Sequence, residues 1–264
     1  MSRLSGLSPR RRVLLLTLVL GAVLVLAAAV TAVVLSLRPT RGTPAQDVPG
    51  PVLLVPGYGG NTNSLAGLAD RIRGTGRSAT VVPLPGDGTG DLSQQADALD
   101  AAVQRELDAG APSVDLIGYS AGGVVVRLWV QRHDGATKAR RVVTLGAPHH
   151  GASIAGVGTV AVPGACPTAC EQLAPGSRLL SGLDTPVPVP PLWWSLWTVQ
   201  DQTVTPPESS RLDGATNVPL QSICPDTTVD HSGLPSNPVV ANLVLRAIGV
   251  GQPAPPSTQD CVRS

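Results

Sequence analysis

Residues 114–123 read VDLIGYSAGG, and this stretch decides the fold. The run Val114–Ile117 is typical of a buried strand, and the apolar residues that follow the stretch are typical of a helix. Between strand and helix stands Gly118–Gly122, a pentapeptide with the pattern G-x-S-x-G. In this setting the pattern indicates a nucleophile elbow, a sharp turn that lifts a serine hydroxyl above the edge of a sheet. We therefore predict that Ser120 is a nucleophile; the alternative is a glycine-rich turn with an idle serine.

Short apolar runs alternate with longer amphipathic runs along the rest of residues 51–264, which are called the body below. The predicted strands are 52–55, 80–83, 114–117, 141–145, 195–199 and 217–223. The predicted helices are 65–72, 93–109, 122–133 and 239–248. This alternation predicts βαβ units, and hence an α/β fold whose mainly parallel sheet has helices on both faces.

Residues 151–191 interrupt the alternation. They are rich in Gly and Pro, include two cysteines and end in Pro-Val-Pro-Val-Pro-Pro. An irregular insertion in an α/β domain often shapes a pocket or a lid, so we predict that role. A passive surface excursion is the alternative.

The net charge of +1 combines two segments of opposite sign. Residues 1–41 hold six arginines and no acidic residue, whereas the rest of the chain holds 13 basic and 18 acidic residues. A body without a positive excess is not expected to bind nucleic acid, whose phosphates require basic patches. Since 42% of residues are apolar and 14% are charged, an intrinsically disordered chain is excluded as well.

Val13–Leu37 contains no charged residue. At 1.5 Å per residue it forms about 37 Å of helix, enough to cross a hydrocarbon core of about 30 Å. Arginines cluster before it, which places the N-terminus in the cytoplasm and the body outside. We predict a cytoplasmic basic leader at 1–12, a transmembrane anchor or a cleaved export signal at 13–37, a linker at 38–50 and a catalytic domain at 51–264.

All four cysteines lie in the body, and an even number in an exported chain predicts two disulfides. Three pairings are possible. We favour Cys166 with Cys170, which closes a small local loop, and Cys224 with Cys261, which ties the C-terminal tail to the domain. A zinc site is the weaker alternative because no second close Cys or His pair has the usual ligand spacing. We therefore predict no metal.

A serine needs a base to take its proton, and the chain has four histidines. His133 ends a predicted helix, and His149 and His150 precede any suitable acid. His231 lies in the loop before the last helix, where an α/β-hydrolase has its base. Asp201 follows a predicted strand and lies between the serine and this histidine, so we predict that it orients the base.

Three other aspartates are poorer candidates for the orienting acid. Asp184 falls in the insertion with no strand before it, and Asp226 and Asp230 are too close to His231 to come from a separate strand.

Two backbone N–H groups must hold the oxyanion of the tetrahedral intermediate. Ala121, directly after the nucleophile, is predicted to supply one of them. The second is assigned to Tyr58, in the glycine-rich loop 56–60 (PGYGG) that follows the first strand of the body.

The sequence resembles the small secreted bacterial lipases and esterases of the α/β-hydrolase superfamily, the class 2 lipase group. The resemblance extends over nearly all of 51–248. It rests on VLLVPGYGG, VDLIGYSAGGVVVR, VVTLGAPHHG, CEQLAPGS, DQTVTPPESS and VDHSGLPSNPVV. It implies hydrolysis of carboxylic esters, often lipidic, through an acyl-enzyme and without a cofactor. Many relatives have His-Gly where this chain has Pro56-Gly57, so the hydrogen bonds of that histidine are missing from the oxyanion loop of this chain.

Other functions remain open beside ester hydrolysis. An acyltransferase would use the same triad, a peptidase or amidase could use this fold, and an inactive binding module would use none of these residues. The expected partners are an ester or lipid substrate and, through the N-terminal helix, a membrane; no protein partner is implied. The cluster Trp193, Trp194 and Trp197 is interpreted either as strand core or as a lipid-facing rim.

Overall fold

The computed structural model describes residues 9–36, 42–153, 166–183 and 185–261. Its sheet has six strands in the order β2-β1-β3-β4-β5-β6, and every neighbouring pair is parallel. The strands are β1 (Val52–Val55), β2 (Ala79–Val81), β3 (Val114–Tyr119), β4 (Ala139–Leu145), β5 (Leu192–Trp197) and β6 (Thr216–Pro219). The predicted parallel α/β sheet is confirmed.

Helices connect most of the strands. In chain order they are α1 (Pro9–Ser36), α2 (Ala66–Arg73), α3 (Leu92–Asp108), α4 (Ala121–Arg132), α5 (Thr168–Gln172), α6 (Arg178–Ser181), α7 (Leu220–Ile223) and α8 (Pro238–Ala247). Short 3₁₀ turns lie at Thr62–Leu65, Gly135–Thr137, Pro207–Ser210 and Thr258–Asp260.

The last predicted strand, 217–223, is wrong in its second half. Strand β6 ends at Pro219, and Leu220–Ile223 form the helical turn α7. A proline has no N–H to donate to a sheet ladder, so pairing ends where Pro219 lies opposite Trp197. The apolar run continues beyond the strand because Leu220 is itself buried.

Two apolar cores cover the two faces of the sheet. Helices α3 and α4 pack on one face, in a cluster that includes Leu99, Val103 and Val125. Helices α2 and α8 pack on the other face, in a cluster that includes Leu68 and Leu243. The helices therefore lie on both faces, as predicted for this fold class.

Trp193 and Trp194 alternate between these two cores, as neighbours in a strand must. With Trp197 they are only 2–4% exposed. The interpretation of these three tryptophans as a lipid-facing rim is therefore wrong, and they form strand core.

A buried ion cluster lies at the amino ends of β3 and β4. The Asp115 carboxylate accepts hydrogen bonds from Arg140 (Nη2 to Oδ2, 2.5 Å) and from Arg77 (Nη2 to Oδ2, 2.7 Å). Arg140 also donates to the carbonyls of Gln46, Ile248 and Gly249. One aspartate thus joins the start of the body to the end of α8, because its arginine partners reach both segments.

Contacts divide the chain into two units, residues 1–42 and 43–264. Residues 43–50 of the predicted linker belong to the second unit. The first unit contains α1, and residues 13–36 of the predicted span 13–37 lie in this helix. Residues 1–8 and 37–41 lie outside the described residues. Over the part of the chain that the structure describes, no helix combines the length and apolar character needed to cross a membrane.

The cysteines form the disulfides Cys166–Cys170 and Cys224–Cys261. The first joins Cys166, at the start of the described part of the insertion, to Cys170 within α5. The second joins the end of α7 to the 3₁₀ turn near the C-terminus. These are the pairings that the sequence analysis favours among the three, and they leave no thiolate for the alternative zinc site.

The insertion is anchored to the sheet domain through the side chain of Gln172. Its amide oxygen accepts from the N–H of Leu92, and its amide nitrogen donates to the Asp91 carboxylate, both at 2.8 Å. Arg127 of α4 donates to the Thr185 hydroxyl (2.9 Å). Residues 154–165 of the predicted pocket or lid lie outside the described residues, as does Asp184.

Candidate active site

Ser120 lies at the sharp turn between β3 and α4. Its backbone has φ 54° and ψ −127°, in a region that residues with side chains rarely occupy. The Ser120 N–H donates to the carbonyl of Leu145 on β4 (2.8 Å), which fixes the turn to the neighbouring strand.

The two outer glycines of the pentapeptide are required by close packing. A Cβ on Gly118 would lie 2.5 Å from the Cα of Gly123. A Cβ on Gly122 would overlap the carbonyl oxygens of Val55 and Pro56. The strand, the helix and the loop after β1 therefore meet at a separation that only glycine allows.

His231 and Asp201 meet Ser120 in one hydrogen-bonded row. The Nε2 of His231 lies 2.9 Å from the Ser120 Oγ, and its Nδ1 lies 2.6 Å from the Asp201 Oδ2. An ionised carboxylate only accepts, so Nδ1 carries the imidazole proton and Nε2 presents its lone pair to the serine hydroxyl. This arrangement can deprotonate a serine.

The Asp201 side chain is fully buried and well supplied with donors. Its Oδ1 accepts from the N–H groups of Thr203 (2.9 Å) and Val204 (2.8 Å), while its Oδ2 faces His231. These bonds stabilise the charged carboxylate away from water and fix its direction.

The loop that carries His231 is held against the loop that carries Asp201. The Thr198 hydroxyl donates to the carbonyl of Val229 (2.8 Å), and the side-chain oxygen of Gln200 accepts from the Val229 N–H (3.0 Å). The sequence analysis did not identify Thr198 and Gln200. Both residues come just before the predicted acid, but this position does not by itself indicate that they contact Val229.

The loop after β1, to which the sequence analysis assigns the second oxyanion donor, passes beside Ser120. A Cβ on Gly57 would lie 3.0 Å from the Ser120 Cβ, so the backbone approaches the nucleophile closely. In the described part of the chain, neither the Tyr58 N–H nor the Ala121 N–H donates to another protein group. Neither N–H is therefore taken up by a protein acceptor among the described residues.

The other histidines do not join this row. His133 caps α4 and lies 3.0 Å from the Asp97 carboxylate of α3. His149 is buried after β4, and the backbone N–H of exposed His150 bonds Ser209. Of the rejected acids, Asp230 accepts from the Gly233 N–H and the Ser232 hydroxyl, which lower the pKa of its carboxyl.

His149 has a tautomer that its hydrogen bonds determine. The Ser195 hydroxyl donates to the Ser210 carbonyl (2.5 Å), and so it accepts from the Thr144 hydroxyl (3.1 Å). The Thr144 oxygen therefore accepts from the His149 Nε2 (3.1 Å), which must carry the proton. The Nδ1 of His149 is left as a buried acceptor without a partner in the described residues.

Burial places the pKa of His149 well below its usual value, and the nearby Arg127 and His150 lower it further. The folded protein therefore keeps His149 neutral where the unfolded chain binds a proton. We expect the free energy of unfolding to fall as the pH drops below about 6.5, by up to about 1.4 kcal/mol per pH unit from this residue. Urea unfolding between pH 7 and pH 5 measures this slope.

The variant His149→Gln should show a flatter slope over the same pH range, because it removes the group that the unfolded chain protonates. His150→Gln is the matched control: its side chain is exposed, so the slope should stay close to that of the wild type. An unchanged slope in His149→Gln would contradict the assignment.

Among the described residues, no group of three or more His, Cys, Asp or Glu side chains is arranged to hold a metal ion. In the tautomer described above, Asp201 is the charged member of the serine–histidine–aspartate row.

Comparison with known proteins gives one family match, to palmitoyl protein thioesterase over residues 51–179, just under half of the chain. The solved structures that resemble the chain include lipase B of Aspergillus fumigatus (TM-score 0.66, 16% identity). The match covers 82% of this chain and 56% of that one, so this chain spans little more than half of that lipase.

Two further structures are matched over nearly their whole length. The mature lipase BlEst2 of Bacillus licheniformis gives a TM-score of 0.64 at 18% identity, over 77% of this chain and 93% of that one. A lipase-esterase related protein of Clostridium acetobutylicum gives 0.52 at 14% identity, over 78% and 97%. These likenesses show that the chain has the α/β-hydrolase fold.

Proposed function

We propose that this chain is a carboxylic ester hydrolase of the α/β-hydrolase superfamily and that it cleaves its substrate through an acyl-enzyme on Ser120. The observation that carries the proposal is the continuous row from the Ser120 Oγ through His231 to Asp201, with both hydrogen bonds at 2.9 Å or less. As part of the proposal, residues 51–264 are the catalytic domain, and its insertion 151–191 has the role of a pocket or lid.

The reaction begins when His231 takes the proton of the Ser120 hydroxyl and the oxygen attacks the ester carbonyl carbon. Asp201 fixes the tautomer of His231 and stabilises the imidazolium that forms. His231 then returns the proton to the leaving alcohol as the carbon–oxygen bond breaks. A water molecule, deprotonated by His231, hydrolyses the acyl-enzyme in the same way. The cycle uses no cofactor.

The backbone N–H groups of Tyr58 and Ala121 donate hydrogen bonds to the negatively charged oxygen of the tetrahedral intermediate. Support comes from the close approach of the Gly57 backbone to Ser120 and from the lack of an acceptor for either N–H among the described residues. Such donors stabilise an oxyanion more than a neutral carbonyl, and this difference lowers the barrier.

The variant Ser120→Ala should lose at least about 10⁴-fold in kcat on a short-chain nitrophenyl ester, because no other group replaces the nucleophile. Labelling by a fluorophosphonate should disappear in the same variant. Circular dichroism and thermal unfolding check that the fold is retained.

Ser232→Ala is the matched control, since this exposed hydroxyl bonds only Asp230 in the described structure. It should keep wild-type turnover and labelling. Retained turnover in Ser120→Ala would overturn the mechanism, and a wild-type protein that neither turns over nor labels would identify an inactive binding module.

We assign a lipidic acyl ester or thioester as the substrate class. The assignment is supported by the family match to palmitoyl protein thioesterase and by the lipases among similar structures. The row of catalytic residues acts on the carbonyl group and does not select the acyl chain.

A panel of nitrophenyl esters from acetate to palmitate, with palmitoyl-thioester as a further arm, measures this preference on residues 43–264. We expect kcat/KM to rise from the shortest chains towards longer ones. A maximum at acetate would contradict a lipidic substrate. Transfer of the acyl group to an added alcohol in preference to water would identify an acyltransferase.

We also assign the body to a compartment outside the cytoplasm, because both disulfides persist only under oxidising conditions. The sequence predicts an anchor or a cleaved export signal at 13–37, and these two fates remain predictions. In cells of a bacterial host, the four cysteines should resist alkylation unless a reductant is added first. If the segment 13–37 is an anchor, the body should fractionate with the membranes. If the segment is cleaved, the body should be found in the medium or the periplasm. A body found in the cytoplasm with free thiols would contradict export.

A further inference from the structure

Tyr119 is the last residue of β3 and directly precedes Ser120, and its side chain contacts His231. The Tyr119 hydroxyl donates to the backbone carbonyl of His231 (3.2 Å). The two rings lie with their centroids 5.2 Å apart and their planes at 32°. No step of the mechanism above uses this side chain.

His231 is held from two other directions. Asp201 bonds its Nδ1, and the N–H of Leu234 donates to the same His231 carbonyl that Tyr119 contacts (3.3 Å). Leu234 belongs to the histidine's own loop, so its bond shapes the loop without locating it relative to the nucleophile. Tyr119 differs because it is covalently joined to Ser120.

The geometry points to Tyr119 as a positioning residue: it sets the distance between the His231 Nε2 and the Ser120 Oγ by bonding the histidine from the residue next to the serine. The inference deepens the proposed function and rests on it. A change at Tyr119 should therefore alter the proton transfer more than the binding of substrate.

The hydroxyl keeps its proton at any working pH. Burial raises the pKa of Tyr119 to about 12, with contributions from the negative charges of Asp201 and Asp230. It therefore stays a donor to the His231 carbonyl throughout catalysis.

The ring supplies a second contact with the base. An aromatic face carries partial negative charge, and it attracts the imidazolium that forms when His231 takes the serine proton. The hydroxyl and the ring are separable by substitution, because phenylalanine keeps the ring and leucine removes both.

For Tyr119→Phe we expect kcat on a short-chain nitrophenyl ester to fall about 3–10-fold, the scale of one lost hydrogen bond, with KM within twofold of the wild type. For Tyr119→Leu we expect a loss of about 10–100-fold in kcat, again with little change in KM. Partial recovery in the phenylalanine variant relative to the leucine variant measures the contribution of the ring.

Rates are expressed per active site, counted by fluorophosphonate titration, so that a partly unfolded preparation does not imitate a slow enzyme. Ser232→Ala removes a hydrogen bond from the residue after His231 and should leave kcat within twofold of the wild type. This control separates the Tyr119 bond from other bonds of the same loop.

Two results would overturn the inference. One is kcat per titrated site within twofold of the wild type in both Tyr119 variants, even if their Tm falls, because the role would then be structural. The other is a rise in KM without a loss of kcat, which would assign Tyr119 to substrate binding. Failure of the proposed function is seen separately, as turnover by Ser120→Ala or absence of labelling in the wild type.

Discussion

The backbone of Ser120 has φ 54° and ψ −127°, a conformation that costs a residue with a side chain about 1–3 kcal/mol. The surrounding structure maintains it through close packing at Gly118 and Gly122 and through the bond from the Ser120 N–H to Leu145. Because the turn is so tight, the helix α4 begins at once, with Ala121 as its first residue. The positions of the Ser120 hydroxyl and of the start of α4 thus follow from the same constraint.

The rest of the site is built on the carboxyl ends of the strands. The loop after β1 brings Tyr58, β3 leads into Ser120, and the loop after β5 carries Asp201. Parallel strands place all these ends on one edge of the sheet, where ligand sites of open α/β sheets lie. Only His231 arrives on a long loop, and it is held by side chains from β3 and from the Asp201 loop.

Much of this arrangement was predictable because the fold imposes regular patterns on the sequence. Buried parallel strands leave short apolar runs, and the elbow leaves its glycines, so the sheet and the order Ser120, Asp201, His231 could be read directly. Strand ends were less accurate: the apolar run at 217–223 covers both a strand and a helical turn, since burial and not strand geometry requires Leu220 to be apolar.

Contacts between distant loops could not be predicted in this way. Nothing in the sequence indicates that Tyr119 bonds the His231 carbonyl or that the Thr198 hydroxyl bonds Val229, since each pair joins residues with no fixed spacing. The tryptophans of β5 were ambiguous for a related reason. A strand rich in tryptophan is equally consistent with a core and with an apolar surface until its neighbours on both sides are known.

The cluster of Asp115 and Arg140 has a practical consequence for handling the domain. It binds Gln46 at the amino ends of β3 and β4, whereas Ser120 follows the carboxyl end of β3. The chain therefore enters the domain at the edge of the sheet opposite Ser120. A carrier protein, a solid support or an affinity tag joined just before residue 43 would be attached at the amino edge of the sheet, and it would leave the edge that carries Ser120 open to large molecules.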